Sequence, residues 1–288
     1  MGSMTHADSA GRARRFHQLH APGCLVTPNP WDVGSARLLA QLGFKALATT
    51  SSGLAWSLGA RDHHVSLEDS LAHFRVLVAA VDVPVSADFE GGLALEPVEV
   101  ARNVAAAVAT GLAGLSIEDS SGDPASPLYE IELAVERIRA ARRAIDASGA
   151  GTLLTGRSEG FIVGRPHLAE TIRRLTAYAE AGADCLFAPG IRTAEDISAV
   201  VRAVAPKPVN VLVGGDFTTV ADLAALGVRR ISVGGGLARA AWTGFLAAAR
   251  EIATTGTFTR LAEAVPFSEI DGTFQTPTRA GAEDRPHR

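Results

Sequence analysis

The stretch Val83-Pro84-Val85-Ser86-Ala87-Asp88-Phe89-Glu90-Gly91-Gly92 decides how this chain is read. A short β-rich run ends in two acids one residue apart, and two glycines follow. Strand side chains alternate between faces, so the run predicts Asp88 and Glu90 on one face at a strand end. Two carboxylates held together repel, and a bound divalent cation or a shared proton relieves the repulsion. The glycines permit a sharp turn and a close approach.

Working outward, runs of the same kind recur at Cys24–Pro28, Ala46–Ser51, Gly114–Asp119, Thr152–Glu159, Cys185–Gly190, Val209–Gly215 and Arg230–Gly235. Ala/Leu-rich stretches of helical period separate them, near residues 33–43, 67–80, 97–110, 130–147, 167–181, 194–204, 218–226 and 237–253. Eight strand–helix units predict an α/β fold, a single (β/α)8 TIM-type barrel. A doubly wound open sheet is the alternative. It fits less well, because the first strand leads into Asn29-Pro30-Trp31-Asp32 rather than a glycine fingerprint. The barrel is expected over residues 12–255. Before it, residues 1–11 read as a disordered N-terminus whose Met1-Gly2-Ser3-Met4 is a tag remnant, and residues 256–288 read as a partly flexible C-terminal extension.

Composition narrows the function. The chain of 288 residues is 47% hydrophobic with a formal net charge of −4, which gives no electrostatic case for nucleic acid or a membrane surface. No run reaches the roughly 18–20 apolar residues of a membrane span. Two cysteines, Cys24 and Cys185, make no disulfide framework, so a cytoplasmic location is expected.

In a barrel of this kind, chemistry sits at the C-terminal ends of the strands and in the loops after them. Sorting residues by strand end therefore sorts mechanisms. Lys45 and Lys207 lie just before strands, which argues against a Schiff-base lysine. Cys24 and Cys185 open their strands and read as small core residues. At the functional end stand Asp62, Asp88, Glu90 and Glu118, a set suited to a hard cation such as Mg2+, with Mn2+ as an alternative. Arg157 supplies a cation for a substrate carboxylate or phosphoryl group. Backbone N–H groups around Ser51, Ser52 and Gly53 offer a second anion cradle. Asp119 is expected to point away from Glu118 and brace the barrel, His63 and His64 read as solvated loop residues, and Trp56 as packing. The Gly234–Gly236 run suits a phosphate loop and tight strand–helix packing equally.

The ordered segments Thr27-Pro28-Asn29-Pro30-Trp31-Asp32, Thr49-Thr50-Ser51-Ser52-Gly53, Asp62, Ala87-Asp88-Phe89-Glu90-Gly91, Ser116-Ile117-Glu118-Asp119-Ser120, Gly156-Arg157-Ser158-Glu159 and Ala181-Gly182-Ala183-Asp184 together resemble the isocitrate lyase and phosphoenolpyruvate mutase superfamily. The resemblance spans roughly residues 12–255. It implies an α/β barrel with a helix exchanged between subunits of a homodimer or homotetramer, a Mg2+ ion, and a small anionic metabolite as substrate. By resemblance, Asp88 and Glu90 bind the metal and Glu118 orients its water. Asp62 is the loop acid near metal and substrate, Ser52, Gly53 and Leu54 hold the substrate carboxylate, and Arg157 fixes that carboxylate and the enolate oxygen.

The resemblance also has departures. The isocitrate and methylisocitrate lyases carry Lys-x-Cys-Gly-His after strand four, and the mutases carry Lys-Thr-Asn-Ser. Here residues 119–129 read Asp-Ser-Ser-Gly-Asp-Pro-Ala-Ser-Pro-Leu-Tyr, with no Cys, Lys, His or Asn. Asp123 and Tyr129 are the weak acid–base candidates left. The expected activity is a Mg2+-dependent lyase that cleaves a C–C bond of a 2-oxo or 2-hydroxy acid, oxaloacetate- or methylisocitrate-like, through a metal-stabilised enolate. A phosphonate mutase or hydrolase of the same superfamily is the alternative, and a non-catalytic metabolite-binding barrel is a third reading.

Overall fold

The computed structural model describes residues 6–21 and 23–274. In chain order the elements are α1 (His6–Leu19), β1 (Leu25–Thr27), α2 (Val33–Gln41), β2 (Leu47–Ala48), α3 (Ser51–Ser57), α4 (Leu67–Ala80), β3 (Val85–Ala87), α5 (Pro97–Val108), β4 (Gly114–Glu118) and α6 (Ile131–Ser148). They continue with β5 (Leu153–Arg157), α7 (Leu168–Glu180), β6 (Cys185–Phe187), α8 (Ala194–Val204), β7 (Val209–Leu212), α9 (Val220–Ala225), β8 (Arg230–Ser232), α10 (Gly236–Thr255), α11 (Thr259–Ala262) and α12 (Phe267–Thr273). The strands pair in the order β1-β8-β7-β6-β5-β4-β3-β2, all in parallel. Across the remaining seam Ala48 N donates to Pro28 O at 3.1 Å. This is the expected (β/α)8 barrel. Among the described residues no helix is long and apolar enough to cross a membrane.

Every expected strand is present and shorter than its apolar run, because the last residues of each run leave the ladder and present polar groups at the barrel mouth. One helix has no counterpart among the expected stretches: α3 follows β2 directly, with the Thr50 side chain accepting from Gly53 N at its start. At the other end of the chain α1 begins at His6, six residues before the expected start of the barrel at residue 12. The disorder expected up to residue 11 is therefore replaced by helix from His6 onward, and Asp8 in its first turn suits the positive end of the helix dipole.

The chain divides into one compact unit up to Arg239 and a second from Ala240, so the division falls inside α10 rather than at the expected residue 255. In the first unit, strand alternation separates two environments. Leu115 and Ile117 of β4 and Leu154 of β5 face outward into one large apolar cluster with Phe74, Leu77, Ile138 and Tyr178 from the surrounding helices. Ser116 and Glu118, and Thr155 and Arg157, face inward. Barrel interiors of this class are usually filled by Val, Ile and Leu; this one is polar over its upper layers. At the N-terminal end of the strands the interior is apolar. There Phe16 of α1, fully buried, packs with Leu25, Ala46, Leu153 and Cys185. A Cβ on Gly114 would come within 2.7 Å of the Phe16 ring, so glycine is needed where the plug enters.

The second unit is built differently. Trp242 and Phe245 meet edge to face at 5.3 Å between ring centroids. Glu251 turns the chain after α10 by accepting from Thr257 Oγ1 (2.6 Å) and from the amides of Thr259 (2.9 Å) and Arg260 (2.8 Å). No residue from 240 to 274 is buried.

Phe16→Ala should destabilise the protein by about 3–5 kcal/mol through loss of a buried ring and the cavity it leaves. Denaturant unfolding measures this, and a loss below about 1 kcal/mol would show that α1 does not plug the barrel in solution.

Candidate active site

The site is organised by one guanidinium. Arg157, the last residue of β5, points up the inside of the barrel into a ring of acids. Its Nη1 lies 3.0 Å from Asp88 Oδ1 and 3.1 Å from Glu118 Oε2, and its Nε donates to Glu159 Oε1. Register explains the meeting. Glu118 and Arg157 are paired residues of β4 and β5, so their inward side chains stand side by side. Asp88, just past β3, is held from below and beside. Its N–H donates to Thr49 Oγ1 and its Oδ2 accepts from Ser51 N, both at 3.0 Å.

Asp119 points away from this ring, as expected. Its Oδ1 accepts from Glu159 N at 2.7 Å, and its Oδ2 accepts from Tyr178 Oη at 2.6 Å and Arg174 Nη1 at 3.2 Å. Asp119 thus braces the segment that carries Glu159.

Glu90 departs from the expectation. The alternation that would put it beside Asp88 fails because β3 ends at Ala87, and Glu90 sits in a left-handed turn with φ +48. Its carboxylate turns to His63, whose Nδ1 is 3.2 Å from Glu90 Oε2. His63, read from sequence as a solvated loop residue, is therefore part of the cluster. The hydrogen bond that His63 donates to Glu90, with the charges of Glu118 and Asp62 nearby, raises the His63 pKa to about 9. Asp62 lies at the cavity edge, where its Oδ1 accepts from His63 N at 3.2 Å.

Of these side chains, those of Asp62, Asp88 and Arg157 border a cavity of about 200 Å³. Ser51 and Ser52 line it, whereas Gly53 and Leu54 do not. Gly53 N donates to the Thr50 side chain and Leu54 N to Thr50 O, so their amides are taken by the start of α3. Of the expected four-residue cradle, Ser51 and Ser52 line the cavity, and the Ser51 amide is itself taken by Asp88. The amides of Val233 and Gly234 are occupied too, donating to Asn29 Oδ1 at 2.8 and 2.9 Å. A Cβ on Gly235 would fall 2.8 Å from Ser52 Oγ and 3.1 Å from the Trp56 ring, which favours the packing reading of this glycine run. Asn29, quoted but unassigned in the sequence reading, emerges as the latch between β1, β2 and β8, since its Nδ2 also donates to Thr49 O at 2.7 Å. Asp123 and Tyr129 serve structure: Asp123 accepts from Ala125 N, and the Tyr129 ring lies 4.4 Å from the Arg137 guanidinium.

Among the described residues no three His, Cys, Asp or Glu side chains converge closely enough to form a direct metal ligand set. The expected trio Asp88, Glu90 and Glu118 is therefore not a closed cage. Its chemistry nonetheless fits a hydrated divalent cation. Five carboxylates, those of Asp62, Asp88, Glu90, Glu118 and Glu159, surround Arg157 and His63, leaving negative charge in excess. Glu118 Oε2 is buried with no hydrogen-bond partner, its one close cation being shared with Asp88 and Glu159. Burial accordingly pushes the Glu118 carboxyl above its ordinary range, against the pull of Arg157. Mg2+ keeps several waters and takes one or two carboxylates directly, which is what spaced acids of this kind offer.

Comparisons with known proteins find similar chains over most of the length of this one. The family described as "Phosphoenolpyruvate phosphomutase" matches residues 16–253. An uncharacterized protein of Mycobacterium tuberculosis (strain H37Rv) is 34% identical over 259 residues, covering 88% of this chain and 94% of its own. The oxaloacetate decarboxylase of Paraburkholderia xenovorans (strain LB400) is 33% identical over 232 residues, covering 76% and 73%. A solved structure of a candidate lyase/mutase from Burkholderia cenocepacia J2315 superposes with a TM-score of 0.91 at 48% identity, covering 94% of this chain and 98% of that one.

The His63–Glu90 contact should be visible in solution. Without added metal, NMR should show His63 titrating near 9, and Glu90→Gln should return it toward the ordinary value of 6.5. The pair adds stability that is complete below about pH 6.5 and lost as pH rises through about 9. An unchanged titration in Glu90→Gln would show that the contact does not form.

Proposed function

The chain belongs to the phosphoenolpyruvate phosphomutase family, and on that premise we propose that it is a divalent-metal-dependent lyase. It cleaves a C–C bond of a small 2-oxo or 2-hydroxy acid, oxaloacetate- or methylisocitrate-like, through an enolate. The observation that carries this reading is the Arg157 cluster, in which one guanidinium meets three carboxylates at the edge of a cavity bordered by Arg157, Asp88 and Asp62. The oxaloacetate decarboxylase among the relatives supports the substrate class.

In this reading Arg157 binds the substrate carboxylate and stabilises the oxygen on which negative charge develops. The Ser51 and Ser52 hydroxyls complete the anion site. Asp88 would hold Mg2+, with Glu90 and Glu118 placed to hold its waters. When bound, Mg2+ supplies Lewis-acid stabilisation of the developing charge. Asp62 stands at the cavity edge, beside the route by which substrate enters. The loop after Glu118 folds on itself through a Ser120–Leu128 bridge and the Ser121 N to Pro127 O hydrogen bond, and contributes no Cys or Asn to proton transfer. A methylisocitrate-type substrate would therefore draw its proton from elsewhere, whereas decarboxylation of oxaloacetate leaves an enolate that water can protonate. This favours an oxaloacetate-like substrate.

The unit from Ala240 onward supports self-association. Phe245 is 60% exposed, Phe258 61% and Phe267 82%, and monomeric proteins seldom leave such a series uncovered. A homodimer or homotetramer is the proposed state.

Each part has a direct test. A Mg2+-supplemented panel of 2-oxo and 2-hydroxy acids, read by pyruvate release, should reveal turnover. Asp88→Ala should weaken Mg2+ binding and lower turnover by about 10²–10³-fold; a variant unchanged in both would refute the assignment. Phosphorus NMR on phosphonopyruvate should show no conversion, and conversion would move the reaction to the C–P bond. Sedimentation should find a dimer or tetramer that Phe245→Asp shifts toward monomer, and a monomeric wild type would end the self-association reading.

A further inference from the structure

A second cation lies lower in the same cavity, and the proposed lyase chemistry does not use it. Arg230 opens β8, and strand alternation sends it inward with Ser232. It is 6% exposed. Its Nε donates to Asn210 Oδ1 and its Nη2 to Thr155 Oγ1, each at 3.0 Å. Both partners are neutral. The remaining nitrogen, Nη1, is buried and has no partner. Among the described residues no carboxylate forms an ion pair with Arg230, in contrast to the three around Arg157.

The surroundings supply no anion from below. His20, after α1, is kept neutral at ordinary pH: burial and the Arg230 charge lower its pKa to about 3. Cys185, at the start of β6, is pushed up by burial and stays a thiol. A buried guanidinium without counter-charge is costly to maintain, and its fork of donors matches a planar carboxylate. Thr155, which holds Arg230, is two residues below Arg157 on the inner face of β5, or roughly 6.5 Å of strand. The cavity therefore carries a cation crowded by acids at its mouth and an uncompensated one a layer deeper.

We propose that Arg230, oriented by Asn210 and Thr155, binds a second carboxylate of the substrate and so selects a dicarboxylate that reaches from the Arg157 layer into the middle of the barrel. The assignment rests on the reading of Arg157 as the anchor for the first carboxylate. Arg230 is a specificity-determining residue, since it takes no part in bond cleavage.

The test compares diacids with their half-blocked forms. Calorimetry on the full chain with saturating Mg2+ would use oxalate, malonate, succinate and glutarate, and the monomethyl ester of each of the last three. For wild type, at least one of these three diacids should bind about tenfold or more tighter than its own monoester. Arg230→Met should reduce that preference to within about twofold while leaving oxalate affinity unchanged, and Arg230→Lys should retain part of it. A wild type without diacid preference, or an Arg230→Met variant that keeps it, overturns the proposal. If Arg230→Met does not fold, a crystal of wild type with the preferred diacid decides. A carboxylate oxygen within hydrogen-bond distance of Arg230 Nη1 is expected, and its absence there overturns the proposal. Failure of oxalate to bind with Mg2+ would instead count against the enolate reading, and leaves the diacid comparison intact.

Discussion

The ion cluster around Arg157 is the constraint on which the site depends. One positive charge must serve Asp88, Glu118 and Glu159, which arrive from three different strand ends. The β4/β5 register sets Glu118 against Arg157, the Asp119 network fixes the segment bearing Glu159, and the amide of Ser51 aims Asp88. The arrangement is over-determined in position and under-compensated in charge. A protein interior tolerates like charges at this spacing only when a counter-ion is shared or a proton taken up. Burial lifts the Glu118 carboxyl and the hydrogen bond to Glu90 lifts His63, and neighbouring carboxylates push both in the same direction.

The fold was legible because strand and helix periods are local. Each of the eight strands lies inside the run that announced it, and the inward position of Glu118 and Arg157 follows from alternation alone. The exclusion of Lys45, Lys207, Cys24 and Cys185 from the chemistry rests on the same logic, and Cys185 indeed sits in the apolar floor. Asp119 was readable as a brace for the reason that Glu118 was readable as functional: neighbours in a strand face opposite ways.

What was not legible begins where strands stop. Alternation assigned Glu90 to the face of Asp88, but a left-handed residue reverses the chain there, and periodicity carries no information past such a turn. His63 reads from sequence as a solvated loop residue, and only the turn of Glu90 toward it reveals its place in the cluster. The cradle at residues 51–54 was overestimated because a helix begins at Ser51 and consumes the amides of Gly53 and Leu54. Arg230 opens its strand, where the expected functional end is the opposite one. The available signal was its spacing of two from Ser232, which places both inside, but only the hydrogen bonds to Asn210 and Thr155 show where the guanidinium rests.

Phe16 has one further consequence. By sealing the N-terminal end of the strands it turns the barrel from a tube into a blind well, with traffic through one opening only. A substrate bound as proposed beside Arg230 would pass the Arg157 layer on its way in and again on its way out. The well therefore empties in the reverse of the order in which it fills. Whatever sits at the rim governs the residence time of whatever lies beneath it, and the helix that stoppers the far end imposes that discipline without touching either occupant.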